Sequence, residues 1–195
     1  MPFTAGIYYD HAVRMTNYNL RLWMATNTDI SADQTVAFER IKYFVYTQMD
    51  STIFINSSEH EQGRLFVEAG LNVTTLPGDP VDQLVGIMLY HKLNAIAEDR
   101  MTVFETELSS THGDGMTYLH CEDENTAGFV HPDWWSSPDL RHSDIDLAMS
   151  DKVVAITQTT PWRELELDWS NTVDQDDTGN IVVFADFVKQ LDDTK

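Results

Sequence analysis

The chain has 195 residues, 42% of them hydrophobic and 11% aromatic, which is enough for one full core and argues against disorder as the resting state. Its formal charge of −20 is uneven: residues 1–100 hold 7 Lys/Arg against 12 Asp/Glu, net −5, whereas residues 101–195 hold 5 against 20, net −15. Such a surface repels phosphate backbones, so it argues against direct nucleic-acid binding without a metal and suits a basic protein partner.

Along residues 17–24 the side chains alternate. Tyr18, Leu20, Leu22 and Met24 share one face, and Asn17, Asn19, Arg21 and Trp23 the other, which predicts a half-buried strand. Ser31 with Gln34 reads as a capping box opening a helix over 32–49, whose apolar positions Val36, Ala37, Ile41, Phe44, Val45 and Met49 recur at helical spacing. The β-branched run 52–55 predicts a short buried strand. Ser58 with Glu61 forms a second capping box for a helix over 58–69, with Gly70 placed for a left-handed terminus. After a short strand at 71–75, Asp79 is placed as an N-cap and Pro80 at the first helical position of a helix over 80–98. In that helix Leu84, Val85, Ile87, Met88, Leu89, Leu93 and Ile96 cover more than one face, so it should be buried on two sides.

The texture changes after Arg100. Segments 102–110 and 116–121 alternate around Thr111-His112-Gly113-Asp114-Gly115, the pattern of an antiparallel hairpin. Residues 122–150 form a long loop with Pro132, Trp134, Trp135 and Pro138, and 152–157 and 181–187 read as further strands on either side of a short helix or extended piece at 162–169. The expected architecture is α+β, or α/β: one domain over 1–188 with a mixed sheet, three helices in the first half, a hairpin plus long loop in the second, and a frayed acidic tail at 189–195.

Four histidines between 112 and 142 are each followed two positions later by an acid: His112/Asp114, His120/Glu122, His131/Asp133 and His142/Asp144. In extended chain such pairs point the same way, so they could aim an imidazole and a carboxylate at one target. His112, His120, His131 and Asp133 are the candidate ligands for a divalent metal such as Fe or Zn, in the two-imidazole, one-carboxylate arrangement of oxygenases and hydrolases. The competing expectation is that these are loop histidines among acids, with no cofactor. Residues 174–180 imitate a calcium loop but place Ala185 where the bidentate Glu belongs. Cys121 has no usable base in His120, because neighbours on a strand face opposite ways, and neither a nucleophile elbow nor a phosphate-binding Gly-rich loop is present in the sequence.

These features point away from catalysis. The expected function is an acidic protein-interaction or assembly component, of the kind found among viral accessory or structural proteins. Trp134, Trp135, Asp139, Asp144 and Asp146 would form its contact surface, although the tryptophan pair could instead pin the loop to the core. The metal-dependent enzyme is the alternative, and a nucleic-acid mimic that occupies a basic protein's cleft is a third possibility. A single cysteine, no basic leader running into an apolar stretch and no span of about 20 apolar residues fit a cytoplasmic protein with no membrane partner.

Overall fold

A computed structural model describes residues 1–121, 131–145 and 160–170. Its elements in chain order are β1 (Pro2–Tyr9), β2 (Ala12–Thr26), α1 (Ser31–Tyr43), β3 (Ile53–Asn56), α2 (His60–Glu68), β4 (Val73–Leu76), α3 (Asp82–Ala97), β5 (Met101–Ser110) and β6 (Thr117–Cys121). The six strands form one mixed sheet in the order β4-β3-β1-β2-β5-β6. β3 runs parallel to β1 and β4 parallel to β3, while the β1–β2, β2–β5 and β5–β6 pairs are antiparallel. The described residues are thus a single α+β fold.

The alternation over 17–24 holds, within a strand longer than the pattern suggests. Tyr18 and Leu20 are buried, and β1, which the sequence reading passed over, pairs with β2 through a two-residue turn. That turn, Asp10-His11, has positive φ at both residues, as a tight hairpin matching the strand twist requires. At Trp23/Met24 the register slips: Trp23 faces Glu105 and Met24 faces Val103, leaving Phe104 as the extra residue of a β-bulge. The bulge lets Val103 stay in the core while Phe104 is exposed.

Strand alternation divides the core between the two sheet faces. Phe54 joins Phe3, Tyr18, Leu20 and Leu108 beneath α1 and α3, whereas Ile53, Ile55, Val73 and Tyr8 pack on Val67 of α2 on the opposite face. All seven apolar residues expected to bury α3 are buried.

At all three helix starts the expected side-chain cap is absent. No side chain caps α1: Gln34 instead reaches back to the Thr28 carbonyl oxygen at 2.6 Å, and the Thr28 hydroxyl accepts from the Ile30 N–H. At α2 the Ser58 hydroxyl is turned to Asn56 Oδ1, and the helix opens at His60 without a side-chain cap. α3 opens at Asp82, so Pro80 lies outside it, in a turn closed by Val81 N–H to the Asp79 carbonyl. At its far end α1 widens into a π-helical turn, Phe44–Met49, that buries Phe44, Val45, Gln48 and Met49. Gly70 has the expected left-handed φ of 82°. Segments 152–157, 174–180, 181–187 and 189–195 lie outside the described residues. No helix among the described residues is long and apolar enough to cross a membrane.

Candidate functional site

Two segments of the acidic second half return across the helices, each held by a buried cation. The first, residues 131–145, contains the short 3-10 helix Asp133–Ser136. Trp134, Trp135 and Leu140 point inward and are buried, while Asp133, Ser136, Asp139 and Asp144 are exposed. Lys92 of α3, fully buried, donates to the carbonyl oxygens of Trp134 at 3.0 Å and Ser137 at 2.8 Å. Its Nζ is also 3.5 Å from Asp139 and faces the rings of Phe44 and Trp134. Burial pulls the Lys92 pKa down to about 8 and Arg141 adds to the fall; Asp139 resists it, so the amine remains mostly protonated at neutral pH.

The second segment, residues 160–170, is held by Arg40 of α1. The guanidinium donates from Nε to the Leu167 carbonyl at 2.6 Å, pairs with Glu98 at 2.7 Å, and lies over the rings of Trp169 and Trp162. Asp33, buried in the first turn of α1, accepts from both the backbone N–H and the hydroxyl of Ser170. Trp162 links the two segments by donating to the Pro138 carbonyl at 2.6 Å. These two tryptophan-bearing segments are therefore strapped onto α1 and α3.

Where the first strap meets α3 and β6, three imidazoles converge. His91 lies 4.4 Å from His131 and 6.2 Å from His120, centroid to centroid, and Trp135 stacks along His91 at 5.9 Å. Tyr90 packs edge-on to His120 at 4.7 Å, and the Tyr118 hydroxyl is 3.3 Å from His120 Nδ1. Gly86 makes this approach of α3 and β6 possible: a Cβ there would sit 2.7 Å from Cδ1 of Tyr118. Burial, reinforced by His131 and then His120, pushes the His91 pKa down to about 4, so its imidazole is neutral at pH 7.

At the far end of the strap, His142 is fully buried. Its Nδ1 is 3.0 Å from the Leu140 carbonyl oxygen and its Nε2 is 2.6 Å from Asn72 Oδ1. Complete burial pulls the His142 pKa down to about 4 against the Leu140 carbonyl, which favours the imidazolium, and Lys92 adds to the fall. The Asp144 N–H then donates to the Thr75 hydroxyl, pinning the strap along β4. Partial shielding of the otherwise exposed carboxyl by the strap raises the Asp144 pKa; Arg141 opposes the rise, Asp133 adds to it and His60 lowers it, so Asp133 and Asp144 sense one another across the strap.

The sequence-derived residues are thus redistributed. His120 and His131 come together, joined by His91. His112 sits in the exposed tip of the β5–β6 hairpin, Asp133 turns to solvent because it opens a helical turn in place of extended chain, and Asp144 is exposed beside buried His142. Among the described residues no group of three or more His, Cys, Asp or Glu side chains is arranged to hold a metal ion, so His112, His120, His131 and Asp133 do not close around one. Trp134 and Trp135 are core residues that pin the loop, not exposed contacts. Asp146 lies outside the described residues. Cys121 and His120 occupy opposite sheet faces, as strand alternation dictates.

His91, Lys92 and Arg40 were the residues the sequence reading missed. Their signal was positional: each is a polar residue at a helix position whose neighbours three or four away are apolar, Met88 for His91 and Lys92, Ala37 and Phe44 for Arg40. No protein-family model matches this chain, and no curated protein is significantly similar to it.

Proposed function

We propose that this protein acts without catalysis, by binding a basic protein partner through the outer surface of the first strap. The supporting observation is the division of that segment: Trp134, Trp135 and Leu140 are spent on the core, while Asp133, Asp139 and Asp144 are displayed outward on a backbone that Lys92 and His142 hold in place. A carboxylate array on a fixed backbone offers a Lys- or Arg-rich surface a preset set of partners, with less ordering entropy to lose than a flexible acidic tail would have. The contact residues are therefore Asp133, Asp139 and Asp144, with Asp146 adjoining them in sequence.

The test compares two double variants of equal charge. Asp133→Asn/Asp144→Asn removes strap carboxylates and leaves Asp139 to Lys92; Asp10→Asn/Asp114→Asn removes two carboxylates from hairpin turns, where Asn tolerates the positive φ. Binding to an Arg-rich peptide is measured by fluorescence anisotropy, and partners captured from extract of the producing cells are identified by mass spectrometry. The strap variant is expected to lose affinity roughly tenfold and the turn variant less than about twofold. Equal losses would mean that net charge, not this surface, governs binding. Capture dominated by DNA- or RNA-binding proteins would favour the nucleic-acid mimic as the form the interaction takes.

A further inference from the structure

We propose that His91 and His131 form a two-imidazole site for a borderline divalent transition ion of the Zn2+, Ni2+ or Cu2+ class, bridging α3 to the start of the first strap. An ion bound at about 2.1 Å from an imidazole nitrogen lies about 3.2 Å from the ring centroid, so two imidazoles sharing an ion at right-angled to tetrahedral geometry have centroids roughly 4.5–5.3 Å apart. The His91–His131 pair, at 4.4 Å with planes inclined by 57°, sits just under the right-angled limit of that range, so a small opening of the pair brings both rings onto one ion. His120, at 6.2 Å from His91, lies outside it, so it stands beside the pair and does not complete a three-residue set.

The nitrogen chemistry supports the same assignment. His91 Nε2 is buried and has no hydrogen-bond partner among the described residues. A buried ring nitrogen left without a partner is costly in a folded chain, and coordination would satisfy it. Imidazole is a ligand for Zn2+, Cu2+ and Ni2+, whereas Ca2+ and Mg2+ require oxygen, so the harder ions are excluded from this pair. Trp135 is the built-in reporter, since its indole stacks on His91 and lies 5.1 Å from His131.

The experiment uses the full chain without a histidine tag, titrated with CuCl2, NiCl2 and ZnCl2, with CaCl2 and MgCl2 as controls. Calorimetry gives stoichiometry, and quenching of Trp fluorescence by Cu2+ locates the ion. Expected are one Cu2+, Ni2+ or Zn2+ per chain, no response to Ca2+ or Mg2+, and quenching that is largely lost in Trp135→Phe. His131→Gln, at a half-buried strap position, should weaken binding at least about tenfold, while His112→Ala in the exposed turn leaves it unchanged. Near-UV circular dichroism of the metal-free variants confirms that the fold survives. The proposal is overturned if the wild-type chain takes up no transition ion saturably at millimolar concentration, if His131→Gln binds as tightly as wild type, or if His112→Ala abolishes binding.

Discussion

The ammonium of Lys92 stands 3.0 Å from the carbonyl oxygen of Trp134, 42 residues further along the chain, with the same tryptophan's ring 5.7 Å from the charge. One buried cation thus holds both the backbone and the side chain of the strap. A helix-borne lysine in an apolar interior is costly unless its donors are satisfied, and here two carbonyls and the Asp139 carboxylate satisfy them. Lys92→Met keeps an unbranched apolar stem one atom shorter and removes all three interactions. It is expected to lower the unfolding free energy by about 2–4 kcal/mol in urea titrations, because the two carbonyls lose their donor and Asp139 loses its counter-charge.

Trp134→Ala and Trp135→Ala should each cost about 3–5 kcal/mol, the range for emptying a buried aromatic site. Trp135→Phe should be far milder. Its indole N–H has no partner among the described residues, so the smaller ring forfeits packing but no hydrogen bond. Thermal unfolding of the three variants checks this; a tryptophan pair serving only as a surface contact would leave the melting temperature unchanged in all of them.

Replacing Arg40 by Lys keeps the charge but loses the Nε–H donated to Leu167 and the planar stacking on Trp169 and Trp162. The expected loss is about 2–3 kcal/mol, with the chain at 160–170 becoming the first site of limited proteolysis. If cleavage begins elsewhere, Arg40 is not what holds that segment.

The pH dependence follows from His142 and His91, whose folded pKa values of about 4 lie below the ordinary 6.5. A group depressed in the folded state binds fewer protons there than when unfolded. Its stabilisation is therefore complete above pH 6.5, declines as the pH falls from 6.5 towards 4, and has been lost below that. For fully buried His142 the loss approaches about 3 kcal/mol. Asp144, raised in the folded state, acts in the opposite sense and is weaker, being exposed. Urea midpoints should fall between pH 7 and pH 5, and His142→Asn should flatten that slope. An unchanged slope in the variant would place the acid sensitivity elsewhere.

Much of the fold was legible where periodicity is local. Tyr18 and Leu20 declared the inner face of β2, and Leu84 to Ile96 declared a helix buried on two sides, because burial imposes its pattern on consecutive residues. β1 was missed because both faces of the sheet are covered near it: Phe3 and Ala5 enter one core and Tyr8 the other, which erases the polar half of the alternation. Caps were misassigned because Ser-x-x-Gln and Ser-x-x-Glu name residues able to cap, while Thr28 and Asn56 compete for the same side chains.

The site was legible only in part, for the opposite reason. His120 and His131 stood out by their spacing from acids, yet what unites them is His91, on a helix about 30 and 40 residues away in sequence, and no local pattern encodes that meeting. The same holds for the two tryptophans: Trp134 is met by Lys92, and Trp135 by His91 and His131. The His-x-acid spacing itself proved uninformative for His131 and His142, since in each the imidazole is turned into the protein and the acid out of it.

Amide hydrogen exchange over residues 131–145 tests most directly whether this segment is part of the packed fold with its carboxylates displayed outward. The Trp135 and Ser137 N–H groups, bonded to the carbonyls of Pro132 and Trp134, should exchange slowly in the wild-type chain and become fast in Lys92→Met while the sheet stays protected. Fast exchange of both groups in the wild-type protein would contradict the account.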